Sequence, residues 1–508
     1  MILLLKLRKL KMNNKEKLFN IGIIYITFLA ISSLDLMAQT DSSFLPNHAL
    51  QTFESYKGTD YNQSLRPQFH FTSLKNWLND PNGMVWYDGE YHLYFQHNPT
   101  NIKWENVLVW GHAISTDMVH WTQLPHAIMP ALNHGGIWSG SAAVDQNNTL
   151  GKQIGNIKTL IAYFTYNGGQ SAAYSTDKGR TYQFLNDGKP IVLNPEYKGA
   201  RDPKFFWHEA SKRWIMVLWI KMVENEGLPN EKPGKVRFYS SKNLIDWTLT
   251  SELNRNWAYE CIDFVQLPVD GNPHNKKWLL YDASFDYEVG TFDGKTFTSD
   301  KKSFIGDLGP NFYAGQNFNN SPDSRTVMIG WMRGGNLFQK AEMPFSQQMS
   351  FPTTLELKTT PEGIRLYRWP IKEIEKLYTK TYTFNNLSLE KTNEKLAEIK
   401  AELIDLSVEF ETKNPLKISI RGLDVIYDSK TDSIHFGKTR IPAPAFQNKV
   451  SLRILLDRTS FELFVNNGAS VATFYAVPKA ENQRIAISGE KETIINSLIA
   501  NELKSAWH

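Results

Sequence analysis

Three carboxylates stand in distinctive company. Asp80 lies in Asn79-Asp80-Pro81-Asn82-Gly83, Asp202 in Arg201-Asp202-Pro203, and Glu260 in Tyr259-Glu260-Cys261. Each falls just ahead of a short apolar run that reads as a strand, the runs starting near residues 84, 203 and 262. Carboxylates that meet in space support two kinds of chemistry. One is a cation site built from oxygen ligands. The other is glycosidic cleavage, in which one acid protonates the leaving oxygen and another attacks the sugar or activates water. Arg201, beside Asp202, is expected to hold that carboxylate ionised, which suits charge stabilisation. Glu260, between Tyr259 and Cys261, is expected in an apolar setting, which suits a general acid. The Asn-Asp-Pro-Asn-Gly stretch itself reads as a turn, because Asp and Asn bond local backbone, Pro presets φ and Gly admits positive φ.

The elements that must position these groups are strands. Helical periodicity is scarce, and short apolar or alternating runs are broken by Gly, Asn, Asp and Pro. HAISTDMVHW (112–121), AAYSTDKGRTY (172–182) and RFYSSKNLIDW (237–247) share a strand ending in Ser, a polar turn and an aromatic, at a period of about 60 residues. Five such units, with first strands beginning near 84, 141, 203, 262 and 312, predict an all-β chain with a five-bladed β-propeller. A sandwich with irregular loops fits the regular period less well. The innermost strand of each blade lines the central channel, so Asp80, Asp202 and Glu260, from blades 1, 3 and 4, are expected to converge at one mouth. After SFPTTLEL (350–357) the repeat stops, and later strands predict a C-terminal β-sandwich. The expected division is a signal peptide over 1–38, a leader over 39–62, the propeller over 63–352, a linker with a short helix over 353–378, and the sandwich over 379–508. No readable motif marks the sandwich, which is expected to brace the propeller.

Composition narrows the partners. The chain has 508 residues, 41% hydrophobic and 21% charged, as in globular proteins, and an aromatic share of 13%. Aromatics at that density suit a β-rich fold and the stacking of sugar faces. The net charge of +4 comes from the Lys-rich start, and the remainder balances. A neutral body argues against nucleic acid or an anionic membrane surface as partner. The uncharged run FNIGIIYITFLAISSL (19–34), after those lysines and before Ala38, reads as an export signal. It is short for a membrane-spanning helix, so no membrane association is expected beyond export. The single cysteine, Cys261, excludes an internal disulfide. The 12 His lack ligand spacing and no phosphate-cradling Gly loop is present, so neither a catalytic metal nor a cofactor is expected.

Taken in order, RPQFHFTSLKNWLNDPNG, YHLYFQHNP, WGHAISTDMVHW, WSGSA, RDPK, YEC and NFYAGQ…IGWM resemble glycoside hydrolase family 32, the β-fructosidases that include invertases, inulinases and levanases. The resemblance is strong over 66–357 and weaker in the C-terminal part. It implies a five-bladed propeller with a sandwich behind it and cleavage with retention of configuration; the expected activity is exo release of fructose from fructans (levan, inulin), fructo-oligosaccharides or sucrose. By the same resemblance Asp80 is the nucleophile, Glu260 the acid/base and Asp202 the transition-state stabiliser. Asn79, Gln96, Trp104, Trp138, Ser139, Arg201 and Trp331 match the pocket for the terminal fructose, Trp104 and Trp331 as apolar walls. Two stretches depart from the family pattern. Tyr259 stands where Trp is common, and MRGGNLFQKAEMPFSQQMSFP follows Trp331 in place of the usual loop. An inverting, arabinofuranosidase-like propeller enzyme and a non-catalytic fructan-binding protein are the competing readings.

Overall fold

A computed structural model describes residues 52–507 except 131–134, 195–198 and 222–233. The expected signal peptide and the first part of the leader lie outside the described residues.

Five antiparallel units follow one another, each beginning with an inner strand. These inner strands are Asn76–Tyr87, Gly140–Asp145, Arg201–His208, Asp263–Val269 and Phe312–Asn317. They are the blades of a five-bladed propeller. Four begin within two residues of the expected positions, and the first begins eight residues earlier, because its strand continues through two bulges. Blades 1 to 4 each continue outward through strands in sequence order. Blade 5 is completed by Val327–Met332 and by a hairpin of Thr353–Thr360 with Gly363–Pro370. The stretch expected as a linker therefore carries strands: Pro361 and Gly363 mark a hairpin turn, not a break in the sheet. Only Lys372–Leu377 is helical there, as a 3-10 turn.

A ring of polar contacts closes the blades around the axis. Asn82 accepts from Gly140 N, joining blade 1 to blade 2. Ser141 donates to Pro203 O and accepts from Phe205 N, joining 2 to 3. Lys204 Nζ reaches Asp263 Oδ2 at 3.1 Å, and Asn317 N donates to the same oxygen at 3.0 Å, joining 3, 4 and 5. Gln316 accepts from Met84 N, returning to blade 1. Lys204 and Asp263 are both buried, so each charge depends on the other for solvation.

The sandwich pairs a six-stranded with a five-stranded sheet. Alternation along its strands sorts two cores. Val450, Leu452, Ile454 and Leu456 face the five-stranded sheet, while Leu455 joins Phe69, Phe71 and Phe351 of the propeller. Phe461, Leu463 and Val465 likewise point into the sandwich, and Phe464 into the shared core. Propeller and sandwich thus share one apolar seam and belong to one compact unit.

Candidate active site

Asn-Asp-Pro-Asn-Gly is not a turn. It lies inside the strand Asn76–Tyr87, whose register against Glu90–Asn98 jumps between Leu78 and Pro81 and again between Asn82 and Val85. Two bulges between Leu78 and Val85 bend the strand and push Asp80 out of the ladder. Pro81 sits at the first bulge, where its missing N–H breaks no regular ladder. Gly83 has φ +52°, and a Cβ there would lie 2.7 Å from Trp110 Cζ3. Trp77 and Leu78 anchor the entry: Leu78 is fully buried, and Trp77 Nε1 donates to Asn79 Oδ1 at 2.8 Å.

Asp202 and Glu260 occupy backbone conformations that side chains seldom adopt. Asp202 has φ 62°, Glu260 24° and Cys261 45°. Such residues cost of order 1 kcal/mol or more each and persist where the surroundings fix them. Asp202 is fixed by its N–H on Thr165 Oγ1 and by Cys261 N–H, which donates to Asp202 Oδ2 at 3.0 Å. Cys261 Sγ lies between two acids, 3.7 Å from Asp80 Oδ2 and 3.5 Å from Asp202 Oδ2.

The electrostatics reverse the expected pairing. Arg201 donates from Nε (3.0 Å) and Nη2 (2.8 Å) to Glu260 Oε2, whereas its nearest approach to Asp202 Oδ2 is 3.7 Å. Asp202 is therefore not held ionised by its neighbour in sequence. Burial pushes it up to about 7, since Arg201 offsets only part of that and the Glu260 and Asp80 charges add to it. Nor is Glu260 in an apolar setting, because Tyr313 donates its hydroxyl to Oε1 at 2.6 Å while Arg201 holds Oε2. Asp80 is also raised, by burial first, although Ser139 Oγ donates to Oδ2 at 2.6 Å. Asp80 and Asp202 are buried in one site, where ionising one makes the other harder to ionise.

Asp80, Asp202, Glu260 and all seven other residues singled out from the sequence line one pocket of about 210 Å³. That is below the roughly 300–1,000 Å³ of drug-sized ligand sites. Trp104, 51% exposed, and Trp138 form the rim, and Trp331 lies edge-on to Tyr313 at 5.9 Å. Gln96 is 1% exposed, and neither its amide oxygen nor its amide nitrogen has a partner among the described residues. A buried amide with both ends unmet in a pocket wall is built for a ligand that both donates and accepts. Tyr259 does not line the pocket; it packs behind Arg201, 5.7 Å from the guanidinium.

Sequence reasoning missed Leu108, Tyr313 and Arg333, which complete the lining. Tyr313 had a signal, since it opens the fifth inner strand where Asp202 opens the third. Arg333 had only the departure of its loop from the family pattern.

The model of the glycosyl hydrolases family 32 N-terminal domain matches residues 70–370, and that of the family 32 C-terminal domain matches 373–502. The chain belongs to glycoside hydrolase family 32. It is 34% identical over 499 residues to a levanase of Bacillus subtilis (strain 168), covering 88% of this chain and 72% of that one. An extracellular exo-inulinase of Aspergillus awamori is 30% identical over 88% of this chain and 96% of its own. The crystal structure of exo-inulinase from Aspergillus awamori superposes with a TM-score of 0.76 at 28% identity, covering 88% and 100% of the two chains. A fructofuranosidase from Schwanniomyces occidentalis complexed with fructosylnystose gives 0.75 at 27%, covering 88% and 99%. As in other family 32 enzymes, a propeller is followed by a sandwich.

Proposed function

We propose that the protein is an exported, retaining β-fructosidase that releases fructose from the ends of fructans or fructo-oligosaccharides, with sucrose as a further substrate. Family membership carries the reaction class, and the levanase and exo-inulinase relatives support fructan and exo action. The bare amide of Gln96 beside the three carboxyls is the structural observation that supports a neutral, hydroxyl-rich ligand. The pocket volume suits one terminal residue better than a stretch of polymer. The extracellular relatives and the Lys-rich, apolar start support export.

In this reading an Asp80 carboxylate oxygen attacks the anomeric carbon of the terminal fructose. Glu260 gives its proton to the glycosidic oxygen, and the bond to the leaving sugar breaks. Glu260 then takes a proton from water, whose oxygen attacks the same carbon, and Asp80 leaves as carboxylate. Asp202 accepts from the fructose hydroxyls, and Arg201 and Tyr313 aim the two oxygens of Glu260. The propeller carries the chemistry, and the sandwich braces it.

Incubation with levan, inulin, 1-kestose and sucrose, assayed for products over time, tests this. Free fructose is expected from the earliest points, initially as the β anomer by NMR. A ladder of oligosaccharides would mean endo action, and no fructose from any substrate would overturn the activity. Asp80→Asn and Glu260→Gln are expected to remain folded and lose turnover at least 1,000-fold, as an order of magnitude.

A further inference from the structure

Arg333 is the charged pocket residue with no assigned work. It follows Trp331 by two residues, lines the pocket and is exposed. Its guanidinium carbon lies 4.5 Å from the centre of the Tyr313 ring, on the ring face. Among the described residues its side chain makes no hydrogen bond or ion pair. An aromatic face fixes a guanidinium without using its five donors, so those donors remain free for a ligand.

The side of the site is set by Tyr313. Its hydroxyl donates to Glu260 Oε1, the carboxyl that protonates the leaving oxygen in the reading above. Arg333, covering the ring of that Tyr, therefore stands with the acid. Ser139 and Asp80 make a separate hydrogen-bonded pair, from blades 2 and 1. The position of Arg333 is also built. Its N–H donates to Asn311 O at 2.9 Å, and Asn311 Nδ2 donates back to Arg333 O at 2.8 Å. The sandwich strand Ser470–Tyr475 holds the same segment: Tyr475 N donates to Asn311 Oδ1 at 2.9 Å, and Tyr475 Oη to Met332 O at 2.6 Å.

We propose that Arg333 is the specificity residue for the leaving group. It donates to hydroxyls of the neutral sugar next to the scissile bond, and the sandwich positions it through Asn311 and Tyr475. This rests on the β-fructosidase reading. It makes the sandwich part of substrate selection.

The test compares two fructosides in the full-length protein. In 1-kestose the leaving group is a sugar, and in methyl β-D-fructofuranoside it is methanol. Arg333→Ala is expected to lower the kcat/KM ratio of kestose to methyl fructoside about tenfold, the loss for a hydrogen bond from a charged donor. Arg333→Lys, which keeps the charge and loses the fork, is expected to fall between. Tyr475→Phe is expected to move the ratio the same way by a smaller factor, with the pH profile on methyl fructoside unchanged in shape. An equal loss on both substrates, an unchanged ratio, or a shifted pH profile would show Arg333 acting on Glu260 or on the fold, and overturns the proposal. Wild-type protein inert on both would instead overturn the β-fructosidase reading, and this proposal with it.

Discussion

His70 of the propeller and Glu462 of the sandwich meet with Nε2 2.9 Å from Oε2, neither side chain exposed. The other ring nitrogen lies 2.9 Å from Asp457 Oδ2. Asp457 also accepts the backbone N–H groups of Gln68, Phe69 and His70, and Glu462 accepts that of Phe351. An imidazole facing a carboxylate at both nitrogens donates from both, and so carries a charge. Burial works against that charge, but the two carboxylates outweigh it and hold His70 up to about 9. The seam is pinned by one buried cation between two anions.

That pairing sets a pH window for stability. The folded value lies above the unfolded one, 6.5. The stabilisation is therefore complete below about pH 6.5 and is lost as pH rises through about 9. Urea melts of the wild type at pH 6, 8 and 10 are expected to show that decline. His70→Gln leaves two buried carboxylates without their cation, and is expected to cost about 3–5 kcal/mol at pH 6 and to flatten the decline. A His70→Gln protein as stable as wild type at pH 6 would refute the pinning role.

Asp202 shifts the same way in a lower pH window. Its pKa in the folded state is raised from 3.8 to about 7, so the folded protein keeps a proton that the unfolded chain releases. Stability therefore falls as pH rises between about 4 and 7, and stays reduced above. Asp202→Asn removes the buried charge. It is expected to raise the melting temperature at pH 8 more than at pH 4, while turnover falls about 100-fold or more through lost transition-state stabilisation. Calorimetry at both pH values with a fructose assay checks both halves. Equal shifts at both pH values would contradict the raised carboxyl.

The blade repeat was legible because it is local. Strand, polar turn and aromatic recur at a fixed period, and four inner strands start within two residues of where that pattern puts them. The first was misplaced because a twice-bulged strand containing Pro81 and Gly83 has the composition of a turn. The pairing of Arg201 was not legible, because its partner Glu260 is 59 residues away and arrives from the next blade. Sequence adjacency to Asp202 misled because the guanidinium makes its short contacts with Glu260 and comes only to 3.7 Å from Asp202 Oδ2. The hairpin at 353–370 was read as a linker because it lies outside the blade repeat and its turn at Pro361–Gly363 has the composition of a break.

Tyr313 ties blade 5 to the acid on blade 4. Tyr313→Phe removes the donor to Glu260 Oε1 but keeps the ring that meets Trp331 edge-on. Leaving a carboxyl oxygen without its donor costs about 1–3 kcal/mol, so kcat/KM is expected to fall about 10- to 100-fold with little change in melting temperature. Tyr313→Ala, which also removes the wall, is expected to lose more activity and some stability. Full activity in Tyr313→Phe would mean that Arg201 alone suffices to aim Glu260.

Gly83 tests whether the bulged strand, and not merely the presence of Asp80, makes the site. Alanine there meets two penalties. The left-handed backbone at φ +52° costs about 1–2 kcal/mol. The new Cβ would also lie 2.7 Å from Trp110 Cζ3 and 2.8 Å from Tyr94 Cδ2, and both rings are fully buried, so overpacking adds about 1–3 kcal/mol. Trp110 has little freedom to yield, since its Nε1 donates to Trp138 O at the pocket rim. The strand must then shift, and Asp80 lies three residues away in the same pair of bulges. Gly83→Ala is expected to lower both melting temperature and kcat, because a small misplacement of an attacking group is costly. Gly89→Ala separates the two causes: its φ is +91°, but nothing lies within 4 Å of its Cβ position. That variant is expected to lose some stability from backbone strain and to keep its kcat. Equal behaviour of the two variants in melting temperature and turnover would mean that the packing under Asn-Asp-Pro-Asn-Gly does not position Asp80.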